Sequence, residues 1–105
     1  MPAFIFANIQ SVNDPVRFAE YQRLAEPTVI QYGGKFLAGG TKIEIADGDW
    51  SPVGVMAAEF ESIVKAKEWY NSPEYQAVVA GRSESTTGGL IFVDAGSGWL
   101  ARSFQ

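Results

Sequence analysis

From Ala3 to Gln10, apolar residues fill both alternating sets. Phe4 and Phe6 point one way, and Ala3, Ile5, Ala7 and Ile9 point the other. Successive strand residues face opposite sides of a sheet, so the pattern predicts a strand covered on both faces. Asp14-Pro15 then opens a helix, with Asp14 as cap and Pro15 at the first helical position, where a missing N–H costs nothing. At about 100° per residue, Phe18, Tyr21, Ala25, Val29 and Tyr32 form one stripe, and Arg17, Glu20, Arg23 and Glu26 lie off it. The spacing predicts an amphipathic helix over residues 15–32 that is kinked at Pro27. Leu24 and Ile30 fall outside the stripe, so they need a second cover or stay exposed.

Gly33-Gly34 ends this helix. Residues 35–46 read as a long strand broken or bulged at Gly39-Gly40. Asp47-Gly48-Asp49 is a turn signal, and a further strand over 53–60 completes a hairpin. Ser62 caps a short helix over about residues 63–71, with Ile63, Ala66 and Tyr70 inward and Trp69 at the edge. Ser72-Pro73-Glu74 restarts a helix on which Tyr75, Val78, Val79 and Arg82 share a face. Thr87-Gly88-Gly89 reads as a loop, and Leu90 to Ala95 as the last strand.

The order is β-α-β-β-α-β. It predicts an α+β fold of the ferredoxin-like plan, a four-stranded antiparallel sheet with helices on one face. Residues 1–95 form a single domain and residues 96–105 a tail. Two helices cover only one face, yet the first, third and fourth strands are apolar on both. In the third, Val53, Val55 and Ala57 oppose Met56, Ala58 and Phe60. The bare face exceeds what monomers tolerate, and the simplest cover is the same face of a second copy about a two-fold axis. A homodimer is expected, with Trp99, Leu100 and Phe104 of the tail reaching across it.

Charge narrows the partners. The 105 residues carry a net charge of −4, with the basic residues scattered. No basic stripe is present to displace counterions, which argues against nucleic acid and against anionic membrane surfaces. The N-terminus, Met1 to Asn8, has no charged leader followed by a long apolar run, so neither a signal peptide nor a membrane span is expected, and the cytoplasm is the expected location. Cysteine and histidine are both absent. This removes thiolate and imidazole metal sites, Ser–His catalysis and the side chain that titrates most readily near neutral pH. Acid–base work would fall to Asp, Glu, Lys, Tyr or Arg, and no metal or cofactor is expected.

The run Glu20-Tyr21-Gln22-Arg23, Pro27-Thr28 and Tyr32-Gly33-Gly34-Lys35-Phe36-Leu37, followed by Gly39-Gly40, resembles the DUF1330 family of uncharacterised small proteins. So do Glu44, Gly48-Asp49-Trp50, Glu59-Phe60 and the segment Trp69 to Gln76. The resemblance covers residues 3–95 and implies a dimeric α+β barrel, the fold shared with antibiotic-biosynthesis monooxygenases and muconolactone isomerases. It implies no particular reaction. Three features depart from the family pattern: Ala38 in place of a basic residue, Gly81 in place of a helix former, and the tail after Ala95.

Two side chains carry most of the chemical interest. Arg82 sits two turns after Tyr75 on an inward face. It either snorkels past the core to pair with a carboxylate, or holds a ligand carboxylate or enolate with its fork of donors. Glu59 shares a strand face with Val53, Val55 and Ala57. It is either paired, with Arg82 as one candidate, or sits unpaired in a pocket as a general base. Together Glu59 and Arg82 are the catalytic candidates. Tyr21, Tyr32, Trp69 and Tyr75 come from inner helix faces or their edges. They are either core or, with Arg82, a ligand box for an aromatic or conjugated molecule. The two Gly-Gly pairs lack P-loop spacing, and Asp47 and Asp49 lack the other ligands of a calcium loop.

Three functions fit this pattern. One is a cofactor-free enzyme acting on a small organic acid, lactone or polyketide-type ring. The second is a non-catalytic dimeric small-molecule-binding or stress-associated protein using the same cleft. The third is a structural dimer whose cleft is filled by its own side chains. A cleft of roughly 300 Å³ or more separates the first two from the third.

Overall fold

The computed structural model describes residues 1–96 and 98. Its elements are β1 (Ala3–Val12), α1 (Pro15–Gln31), β2 (Lys35–Gly40), β3 (Gly54–Phe60), α2 (Ile63–Tyr70), α3 (Pro73–Gln76), α4 (Ala80–Ser83) and β4 (Thr86–Asp94). The strands form one antiparallel sheet in the order β2-β3-β1-β4, so β1 is central and β2 and β4 are the edges. The expected ferredoxin-like α+β plan is the observed one.

The helix starts follow from their caps. Asp14 accepts the Arg17 N–H at 3.0 Å, Ser62 accepts that of Lys65 at 3.2 Å, and Ser72 accepts that of Tyr75 at 3.1 Å. Each satisfies a donor that has no intrahelical partner. α1 runs on through Pro27, and Leu24 and Ile30 on its outer side are exposed.

Three boundaries differ from the sequence expectation. The second strand stops at Gly40 instead of Ala46. Continuing the β2–β3 register, in which Gly40 faces Val55, would set Ile43 opposite Pro52, which has no N–H to give. The Val53 N–H turns instead to the Ile9 carbonyl of β1 at 2.7 Å. The last strand begins at Thr86, so the Thr-Gly-Gly segment read as a loop belongs to it. The β1–β4 register shifts between Ile9 and Ser11, and Gly88 stands there at φ +121° against the Asn8 carbonyl. The helix expected after Ser72 is split into α3 and α4. Tight backbone bonds from Val78 to Tyr75, Gly81 to Val78 and Arg82 to Val79 bridge them.

The helices cover one face of the sheet. Ala3, Ile5, Ala7 and Ile9 of β1 and Ala58 and Phe60 of β3 are buried there. Trp69 is the centre of this core: its ring lies 4.3 Å from that of Tyr75 and 5.7 Å from that of Phe60, centroid to centroid. Burying a large apolar side chain of this kind is worth about 1.5–3 kcal/mol.

No helix among the described residues covers the opposite face. Phe6 is 41% exposed, Val55 41%, Ile91 59% and Val93 38%. Register places them around β1, with Phe6 beside Ala57 and Ile91, and Phe4 beside Val93 and Glu59. On the same face Asn8 lies between Val55 and Gly89, and its Oδ1 is buried without a hydrogen-bond partner among the described residues. A cavity of about 390 Å³ opens there, lined by Phe6, Asn8, Trp50 and Ile91 among others. The tail residues Trp99, Leu100 and Phe104 lie outside the described residues. Among the described residues no helix is long and apolar enough to cross a membrane.

Candidate functional site

The inner stripe of α1 does not close down on the sheet along its whole length. Between α1 and strands β1, β3 and β2 lies a cavity of about 610 Å³, lined by Phe18, Tyr21, Val29, Phe36, Met56 and Arg82 among others. This is well above the roughly 300 Å³ at which ligand clefts begin. Its walls are mainly apolar, and Arg82 is its only cation among the described lining residues.

Local backbone puts Arg82 there. A Cβ at Gly81 would come 3.0 Å from the Cβ of Tyr21, so glycine at this position lets α4 approach α1 closely. The absence of the usual helix former therefore has a packing cause. Arg82 follows directly and is 9% exposed. Its carbonyl accepts the Thr86 hydroxyl at 2.6 Å, which ties α4 to the start of β4.

Arg82 Nε donates to the Tyr75 hydroxyl at 3.3 Å, and the Tyr75 hydroxyl lies 2.8 Å from that of Tyr21. Among the described residues no carboxylate comes within 4.0 Å of the guanidinium as an ion pair. Of the two outcomes open for Arg82, the internal carboxylate partner is not the one found. Burial works against its positive charge, but the Tyr75 and Tyr21 oxygens favour it more, so the guanidinium holds its proton more tightly than usual. Burial, then the neighbouring Tyr75, pushes the Tyr21 phenol well above its ordinary range, so Tyr21 is a neutral hydrogen-bond donor at physiological pH.

The other sequence candidates are distributed as follows. Tyr75 is fully buried behind Arg82 and Tyr21, and Trp69 is in the core with its indole N–H on Thr28. Tyr32, beyond the far end of α1, donates to Glu74 Oε1 at 2.9 Å, and Gln31 donates to Glu74 Oε2 at 2.9 Å. The hydrogen bond it donates to Glu74 raises the Tyr32 phenol. Glu59 shares the bare sheet face with Val55 and Ala57, opposite Phe4 of β1 and Lys35 of β2. The sheet therefore separates it from Arg82, and the two are not brought together.

Phe36, Met56, Gln22 and Glu26 line the cavity and are among the contributors that sequence reasoning did not assign to a site. Alternation put Met56 on one face of β3 with Ala58 and Phe60, but it could not say that this face is the one under the helices. Glu26, one position off the inner stripe, lies roughly 7.5 Å further along the helix axis than Tyr21 and is the carboxylate at the exposed side of the cavity.

Several solved structures share the architecture. A protein of unknown function from Rhodopseudomonas palustris superposes with a TM-score of 0.72 at 22% identity, over 89% of this chain and 81% of that one. A dimeric ferredoxin-like protein of unknown function from Jannaschia sp. gives 0.71 at 13% identity, over 90% and 97%. A cofactor-independent oxygenase from Streptomyces nogalater gives 0.59 at 11% identity, over 92% and 94%. At these identities the likeness is one of fold. No protein of curated function matches the sequence. The profile of the domain of unknown function DUF1330 matches residues 2–96, nearly the whole chain, and the chain belongs to that family.

Proposed function

We propose that the protein is a homodimer that binds a small organic acid, or a ring that presents an enolate, in the cavity between α1 and the sheet. The observation that carries this reading is the buried Arg82, turned to an apolar cavity with no carboxylate paired to its guanidinium among the described residues. A buried cation whose only partners among these are neutral phenols still lacks a counter-charge, and an anionic ligand with an apolar body would supply it. Of the candidate ligand residues, Tyr21 and Arg82 touch the ligand, and Tyr75 and Trp69 support them from behind. Tyr32 and Glu59 lie outside the proposed contact set.

The test is a thermal-shift screen of aromatic and alicyclic carboxylates, lactones and quinones on the wild type and on Arg82→Met, which keeps the stem and removes the charge. Carboxylates are expected to raise the wild-type melting temperature and to leave the variant unmoved. A screen with no Arg82-dependent hit overturns the reading.

A cofactor-free reaction in the cavity is supported by the fold shared with the Streptomyces oxygenase and by Glu26, a carboxylate that could serve as base. The non-catalytic binding reading is favoured by the placement of Glu59, the base candidate from sequence, on the other side of the sheet. Turnover that persists in Glu26→Gln would remove Glu26 from any mechanism.

The homodimer rests on the bare face, where Phe6, Val55, Ile91 and Val93 are exposed around the unsatisfied Asn8, and on the dimeric description of the Jannaschia relative. Placed face to face about a two-fold axis, β1 would oppose its own copy, and an amide can pair with a second amide. Phe6→Asp is expected to give a folded monomer by sedimentation velocity. A wild type that sediments as a monomer at micromolar concentration would overturn the assembly.

A further inference from the structure

The Tyr75 hydroxyl is the junction of a three-membered network with Arg82 and Tyr21. Arg82 brings five N–H donors, Tyr21 and Tyr75 bring one O–H each, and the acceptors joining the three side chains are the two phenol oxygens. Tyr75 is fully buried, and Arg82 Nε and the Tyr21 hydroxyl are its hydroxyl's partners among the described residues. Were Tyr21 to donate to Tyr75, the Tyr75 proton would be left in the core without an acceptor, a costly arrangement. The satisfied alternative has Arg82 donating to Tyr75 and Tyr75 donating to Tyr21. The unspent proton is then on Tyr21, which lines the cavity.

We infer that Tyr75 is a positioning residue that aims the Tyr21 O–H into the cavity beside Arg82, making a cradle of donors selective for the carboxylate of an apolar monoacid over its neutral amide. This rests on the cavity reading above and names the ligand group that the cavity selects. Both cradle groups donate and neither is free to accept, because Arg82 is a fixed cation and, in the satisfied arrangement, the Tyr21 oxygen already receives the Tyr75 proton. A carboxylate supplies acceptors to both. An amide supplies one acceptor and sets its own N–H2 against the donors. Phe18, Phe36 and Met56 provide apolar contact for the rest of such a ligand.

The experiment measures dissociation constants of benzoate and benzamide by NMR titration on the wild type, Tyr21→Phe, Tyr75→Phe and the double variant. The wild type is expected to prefer benzoate by at least about tenfold, as for a hydrogen bond to a charged group. Tyr21→Phe and Tyr75→Phe should each lower that preference by roughly the same factor, and the double variant should lower it no further, because both act on one proton. A purely structural role for Tyr75 would weaken both ligands equally and leave their ratio unchanged, which would overturn the inference alone. Additive losses would do the same. Failure of benzoate, phenylacetate and cyclohexanecarboxylate to bind the wild type at millimolar concentration would overturn the cavity reading as well. Phenylalanine keeps each ring, and circular dichroism checks that every variant is folded.

Discussion

The indole N–H of Trp69 in α2 donates to Thr28 Oγ1 in α1 at 2.9 Å, and the Thr28 hydroxyl in turn donates to the Ala25 carbonyl at 2.6 Å. This polar link joins the two longest helices inside the apolar core, one residue after Pro27. Thr28→Val keeps the shape and removes both bonds, leaving a buried indole donor without a partner. The expected loss is about 1–3 kcal/mol, read as a lower urea midpoint in tryptophan fluorescence, with Thr28→Ser recovering most of it. An unchanged midpoint for Thr28→Val would show that water or a rearranged ring takes over the bond.

Gly88 marks the point where β4 slips against β1. A Cβ there would lie 1.9 Å from the Asn8 carbonyl oxygen, and the backbone has φ +121°. Gly88→Ala combines a disfavoured backbone, worth on the order of 1–3 kcal/mol, with a clash against a central strand that cannot move. It is expected to destabilise the protein by more than Gly89→Ala, where a Cβ meets nothing. Equal midpoints for the two variants would contradict the register described.

Acid should weaken the clamp at the end of α1. A backbone N–H of its own residue, then Tyr32 and Gln31, hold the Glu74 carboxyl below its ordinary range. A group whose folded pKa is depressed contributes stability that is complete above its unfolded value, about 4.3 for glutamate, and is lost as pH falls through the folded value. Stability should therefore fall on acidification below about pH 4.3, and Glu74→Gln should flatten that fall while lowering stability at neutral pH. Urea midpoints at a series of acid pH values test this. Parallel curves for wild type and variant would count against it.

Much of the fold was legible because alternation and capping are local. The two faces of β1 and β3, the stripe of α1 and the three helix starts all follow from residue spacing. The errors share a non-local cause. Lys42 to Ile45 alternate as a strand should, but the strand ends because Pro52 would stand opposite and Val53 bonds to Ile9 instead. Thr87-Gly88-Gly89 has the composition of a loop, but pairing with β1 decides its conformation. In the site, Arg82 and Tyr21 could be picked out as inward-facing chemistry. Glu59 was grouped with Arg82 because periodicity assigns a residue to a face without saying which face the helices cover. Glu26 was missed because a cavity rim has no period.

The alternation of β1 has a consequence for how the chain tolerates change. Ala7 and Ile9 help to wall the cavity, and Phe6 and Asn8 look out from the reverse side of the same ribbon. Losing a single residue from this stretch would turn over every later side chain of the strand, exchanging the wall of one compartment for that of the other. Shortening the segment between Gly40 and Gly54, which carries no regular structure, would invert nothing. Length variation among natural sequences of this kind should accordingly collect in that segment and spare the central ribbon.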